Sequence, residues 1–231
     1  MRRVLPLLLA AVLAGGCGGA EGPDGTATVW VTRDEGKRVL LVREVPAGLT
    51  AMQALDRVAD VETRYGGRFV ESIEGLEGSL SSRHDWFYFV NGYEADRSAS
   101  EYTLHDGDVE WWDFRSWAKR QRAPVVVGAF PEPFLHGYDG KTRPAVVTYP
   151  HPRFAQVARR LAQVVGGQAY LPRALPAVEA EFNEIAISAG KVEFVATGDI
   201  GTPVRFVIGP GDAARLARNP ALARFRYEGL P

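Results

Sequence analysis

The sequence predicts an α+β protein in two parts, a β-β-α-β-β-β domain over residues 26–115 and a small α/β domain over 124–231. Three observations carry that expectation. Residues 26–45 alternate apolar and polar side chains around a charged turn. One helical stretch separates this pair from three further strand-like runs. Beyond residue 124 strand-like and helical runs succeed one another. With 46% hydrophobic and 24% charged residues in 231, the composition is ordinary for a globular chain and supplies enough apolar material for a core.

In order, Thr26–Thr32 and Arg38–Val45 read as a β-hairpin about the turn Asp34-Glu35-Gly36-Lys37. Pro46 and Gly48 end its second strand. Thr50 then stands at the N-cap of a helix carried by Ala51, Met52, Ala54, Leu55 and Val58, with Gly66-Gly67 as its expected stop. Phe69–Ile73 and Trp86–Val90 are strand candidates flanking a polar loop, Glu74–Asp85, and Asn91-Gly92 is a hairpin turn. After a coil containing Ser98–Tyr102, the turn Asp106-Gly107-Asp108 leads into a strand, Val109–Phe114. One helix laid over one sheet is the β-grasp arrangement, and ~90 residues suit one small domain.

Residues 116–123, with Lys119, Arg120 and Arg122, read as a solvated basic linker. The second region opens with Val125–Phe130, passes through the proline-rich loop Pro131–Pro144 and reaches a strand, Ala145–Tyr149. Phe154, Val157, Ala158, Leu161 and Val164 give the next helix an apolar stripe, with Arg159 and Arg160 on its other face and Gly166-Gly167 at its end. Lys191–Ala196 and Val204–Ile208 look like strands. Asp212 is expected to cap a terminal helix that Pro220 kinks or divides, and Leu175–Ser188 fits helix and strand equally.

Arg2 and Arg3, an apolar run from Val4 to Leu13, and then Ala14-Gly15-Gly16-Cys17 have the order of a signal peptide over residues 1–16. The apolar run is far shorter than the roughly 20 residues a membrane span needs. Cys17 is the single cysteine and so forms no internal disulfide; its place after small residues is that of a lipid-acylated cysteine, with 17–25 as a tether. The expected product is an exported lipoprotein on the outer face of the bacterial cytoplasmic membrane. Loss of Arg2 and Arg3 leaves 25 basic against 28 acidic side chains, and with no basic stripe to neutralise phosphates, nucleic acid is discounted as a partner.

Residues 50–112 resemble the transcobalamin-like C-terminal domain family. The resemblance rests on Thr50-Ala51-Met52-Gln53-Ala54-Leu55, on Phe69–Gly75, on Trp86-Phe87-Tyr88-Phe89-Val90-Asn91-Gly92, on Ser98–Tyr102 and on Leu104–Trp112. It implies a soluble ligand-binding β-grasp module over residues 26–115, with cobalamin or a related corrinoid as ligand; delivery of that ligand to a membrane transporter is the expected role of the anchored protein. In the carriers that give the family its name the module works with a larger helical domain, for which these 231 residues show no counterpart. The resemblance does not extend to 124–231.

Strand alternation sends Trp86, Tyr88 and Val90 to one face of the sheet and Phe87 and Phe89 to the other, and separates Trp111 from Trp112. One set lies under the helix. The other either forms a flat stacking platform or is buried against the second domain. The expected ligand-binding residues are Trp86, Tyr88, Tyr102, Trp111 and Trp112, with Asn91 as a polar anchor. No catalytic role is expected. His84, His105, His136 and His151 are dispersed; Ser81, Ser82, His84 and Asp85 lack a nucleophile elbow; and Gly209-Pro210-Gly211-Asp212 lacks the lysine of a phosphate loop. The alternative to a small-molecule binder is a surface module that meets a protein or an envelope glycan.

Overall fold

In the computed structural model, which describes residues 25–174 and 181–231, Asp34, Glu35 and Gly36 all take positive φ, 60°, 58° and 74°. They turn the chain between β1 (Thr26–Arg33) and β2 (Arg38–Pro46), paired antiparallel as the alternation predicts. The signal peptide, Cys17 and nearly all of the tether lie outside the described residues.

The chain then enters α1 (Ala51–Asp56), held by a capping box: Thr50 Oγ1 accepts from the Gln53 amide at 3.2 Å, and Gln53 Oε1 accepts from the Thr50 amide at 3.0 Å. The helix stops at Asp56, well before Gly66-Gly67. Val61-Glu62-Thr63-Arg64, with two β-branched residues, is instead strand β3 (Val61–Arg64), and the two glycines make the turn into β4 (Phe69–Ile73) with φ of 68° and 84°. The expected polar loop contains a short β5 (Leu76–Glu77), which completes a three-stranded sheet β3-β4-β5.

Asn91 and Gly92, both at positive φ, turn β6 (His84–Val90) into β7 (Tyr93–Glu94), and β8 (Val109–Ser116) follows the Asp106-Gly107-Asp108 turn. The main sheet has the order β2-β1-β8-β6-β7, with β1 and β8 parallel at its centre and the remaining pairs antiparallel. This is the mixed sheet of a β-grasp.

The proline-rich loop contains α2 (Glu132–Leu135). A second sheet, ordered β10-β9-β11-β13-β12, comprises β9 (Ala145–Thr148), β10 (Gln168–Tyr170), β11 (Asn183–Ile187), β12 (Val195–Thr197) and β13 (Arg205–Ile208), parallel except for β12. Helix α3 (Ala155–Val164) links β9 to β10, and α4 (Pro210–Leu216) follows β13. Residues 183–187 of the ambiguous segment are therefore strand, while 175–180 lie outside the described residues. Only Val195–Thr197 of the strand expected near 191–196 forms. Asp212 does not cap α4: Gly209 holds that position, and Asp212 sits inside the first turn, paired with Arg215 at 3.0 Å.

Val29, Leu55 and Trp112 of the first region belong to the same buried cluster as Val147, Leu161 and Phe206 of the second. A separate cluster on the opposite face of the main sheet gathers Trp30, Phe89 and Trp111 with Val126, Ala129 and Tyr227. Both faces of the sheet are covered.

Candidate functional site

The β6/β8 register sets the aromatic side chains. Tyr88 lies opposite Trp112, and Phe89 opposite Trp111. Alternation then brings Trp86, Tyr88, Trp112 and Phe114 to the face beneath α1. The Tyr88 and Trp112 rings stack at 4.8 Å between centroids and 19° between planes, and Trp86 tilts against Phe114 at 5.1 Å. Together with Arg68, Met52 of α1, Phe69 and Val70 of β4, and the loop at Arg97, Ser98 and Ala99, the rings of Trp86, Tyr88 and Trp112 line a cleft of about 230 Å³.

Each ring is tethered through its polar atom. Trp86 Nε1 donates to the Leu76 carbonyl at 2.8 Å, Tyr88 Oη donates to the Arg97 carbonyl at 2.6 Å, and Trp112 Nε1 donates to Glu110 Oε1 at 2.5 Å. With those donors spent, and with Trp86 and Trp112 buried, it is half-buried Tyr88 that presents ring surface to the cleft. At the rim Arg68 pairs with Glu101, and Arg97 pairs with Asp96 at 2.7 Å and Asp139 at 3.4 Å. Ser98 Oγ donates to the Arg68 carbonyl at 2.7 Å, tying the two arginine segments together.

Glu110, adjacent to this layer, is completely buried, and its Oε2 has no hydrogen-bond partner among the described residues. Burial pushes its carboxyl well above the usual carboxylate range, and the Trp112 indole only partly opposes this. Burial likewise raises Tyr88 and Tyr102, and it lifts Tyr93 to about 12, so these phenols stay neutral at physiological pH.

Of the expected binding residues, Trp86, Tyr88 and Trp112 converge on the cleft, and three do not. Trp111 lies on the opposite face, fully buried, with Nε1 donating to Thr32 Oγ1 at 2.7 Å and its ring packed edge-on against Trp30, Phe225 and Tyr227. That face is not a platform: residues 123–129 and the C-terminal segment cover it. Asn91 is fully buried and spent on structure. Its Nδ2 donates to Asp108 Oδ1 at 2.7 Å and to the Gly137 carbonyl at 3.0 Å, while Oδ1 accepts from the Val109 amide at 2.8 Å. Tyr102 is also fully buried; its Oη accepts from the Asp139 amide at 2.8 Å and its ring packs on Tyr138.

Sequence reasoning missed Arg68, Arg97, Ser98, Met52 and Phe69 as cleft residues. Met52 carried a signal, an apolar side chain on the helical stripe. Arg97 and Ser98 carried none, because they reach the rim through an irregular loop. Chemically, an aromatic wall with two ion-paired arginines at the mouth suits a flat or apolar group ending in a polar one.

Residues 48–116 match the family described as a domain of unknown function, DUF4430. The match spans under a third of the chain, contains α1, the cleft and β8, and falls on the segment that resembles the transcobalamin-like domain. No curated protein matches the chain. Among solved structures, a protein from Ruminococcus gnavus provisionally assigned as metal binding is similar at 20% identity with a TM-score of 0.33, over 40% of this chain and 98% of its own. Haptocorrin in complex with Cbi is similar at 16% identity and a TM-score of 0.32, over 42% of this chain and 27% of its own.

Proposed function

We propose that this protein is an exported lipoprotein, held by Cys17 on the outer face of a bacterial cytoplasmic membrane, whose β-grasp domain binds a small molecule without catalysis. The observation that carries the binding role is the cleft itself, where the stacked Tyr88–Trp112 pair and Trp86 meet Arg68 and Arg97. At about 230 Å³ it falls below the roughly 300–1,000 Å³ of drug-sized sites. A ring, a side chain or one edge of a larger ligand enters it. A corrinoid, the ligand that the family resemblance implies, would rest a peripheral group in the cleft and leave its macrocycle outside, consistent with transient capture and delivery to a transporter.

Titration of the purified protein with cobalamin and cobinamide, followed by tryptophan quenching and calorimetry, tests this reading. Saturable micromolar binding that weakens at least tenfold in Tyr88→Ala, a half-buried site where truncation leaves the β6/β8 ladder intact, supports it. A flat titration with both compounds sinks the corrinoid assignment. A second reading, a surface module that meets a protein, is favoured by the sheet edge, where β2 exposes Val39, Leu40 and Val42.

A further inference from the structure

Arg115, on β8, is fully buried, yet it belongs to no ion pair among the described residues. Its guanidinium lies 3.7 Å over the Phe87 ring. Nη1 donates to the carbonyls of Arg120 and Ser116, and Nη2 donates to that of Gln121 at 3.4 Å, while Nε has no partner among the described residues. The nearby carboxylate of Asp113 is occupied by Thr32 Oγ1, the Glu35 and Gly36 amides and Tyr227 Oη. Arg115 acts on Asp113 through space without a direct ion pair, so a charge held mainly by carbonyls and a ring face still gains from an approaching anion.

Arg115 lines a cavity of about 340 Å³ whose wall also includes Lys37, Lys119, Arg120, Asp34 and Glu35. It shares no lining residue with the aromatic cleft. Asp34 is engaged by Arg33 at 3.2 Å and Arg38 at 4.0 Å, and Arg120 by Glu228 at 2.8 Å. Lys37, Lys119 and Arg115 therefore face Glu35 as the one remaining carboxylate on the wall. The excess is cationic, and two exposed lysines offer point charges of the kind that hold phosphate oxygens.

We propose that this cavity is an anion site that takes a phosphate dianion, either free or as the terminal group of a small phosphomonoester. Its recognition is electrostatic, from two ammonium groups and the buried guanidinium, so it weakens with added salt.

Calorimetric titration of the purified protein at low ionic strength with inorganic phosphate and, separately, glycerol 3-phosphate, against chloride at matched ionic strength, is the test. Saturable submillimolar binding of either supports the site, and the tighter of the two names the source. The Lys37→Gln/Lys119→Gln double variant changes only exposed side chains, so its melting temperature without phosphate stays at the wild-type value. Its phosphate affinity falls at least tenfold, and the stabilisation that phosphate gives the wild type by mass action disappears. No saturable binding of either compound, or equal affinity in the double variant, overturns the proposal.

Discussion

Glu110 Oε1 accepts the Trp112 indole N–H at 2.5 Å while Oε2 meets no donor among the described residues, and the side chain is sealed from water. A carboxylate in that position would be an uncompensated charge, so the folded state favours the neutral acid. The native protein thus holds a proton that the unfolded chain releases above about pH 4.3. Its stability contribution is complete below that value and declines as pH rises through the raised native pKa, by about 1.4 kcal/mol for each unit crossed. Glu110→Gln retains an acceptor for the indole and does not titrate. Thermal denaturation from about pH 5 to about pH 8 should show the variant gaining on wild type as pH rises. Parallel curves for the two proteins would show that Glu110 carries no such linkage.

Six residues are too few for α1 to persist on helix propensity, so its ends and its packing must hold it. The Thr50–Gln53 capping box satisfies two amide donors at the start, and Ala51, Ala54 and Leu55 bury the inner face. Thr50→Ala should cost about 1 kcal/mol in denaturant unfolding and weaken ligand binding at the cleft, where Met52 forms part of the wall. A loss under about 0.3 kcal/mol would mean that packing alone fixes the helix. Elements of this kind were legible in the sequence wherever a local signal stood alone: Thr50 before an apolar stripe, Asn91-Gly92 after a strand, Gly166-Gly167 after α3. Gly66-Gly67 misled because two glycines end a helix and close a hairpin equally well, and the β-branched Val61 and Thr63 were the deciding signal. In the site, alternation grouped Trp86 with Tyr88 and separated Trp111 from Trp112, and the β6/β8 register then puts Trp112 on the Tyr88 side. Alternation could not show that the outer face is covered, because the cover comes from residues 123–129 and from a C-terminal segment more than a hundred residues from Trp111.

Those distant segments join the two regions into one packed body. Phe225 sits edge-on to Trp30 at 4.7 Å, and Tyr227 lies 5.5 Å from Trp111 and 5.6 Å from Phe89. A methyl group at Gly36 would come within 1.7 Å of the Phe225 carbonyl, so the first hairpin turn and the C-terminal segment fit only with glycine there. Tyr227 Oη also donates to Asp113 Oδ2 at 3.1 Å, the carboxylate that holds the Glu35 and Gly36 amides. The C-terminal segment therefore covers the outer aromatic face and buttresses the turn between β1 and β2, which predicts one cooperative unfolding transition for both regions. Tyr227→Ala removes the ring and the hydroxyl together. It should cost about 3–4 kcal/mol and red-shift the tryptophan emission as Trp111 gains water. Tyr227→Phe removes only the hydrogen bond; it should cost about 1–2 kcal/mol and leave the emission unchanged. If Tyr227→Ala left the emission at the wild-type position and the transition midpoint unmoved, the C-terminal segment would be an ornament on a β-grasp domain that closes its own outer face.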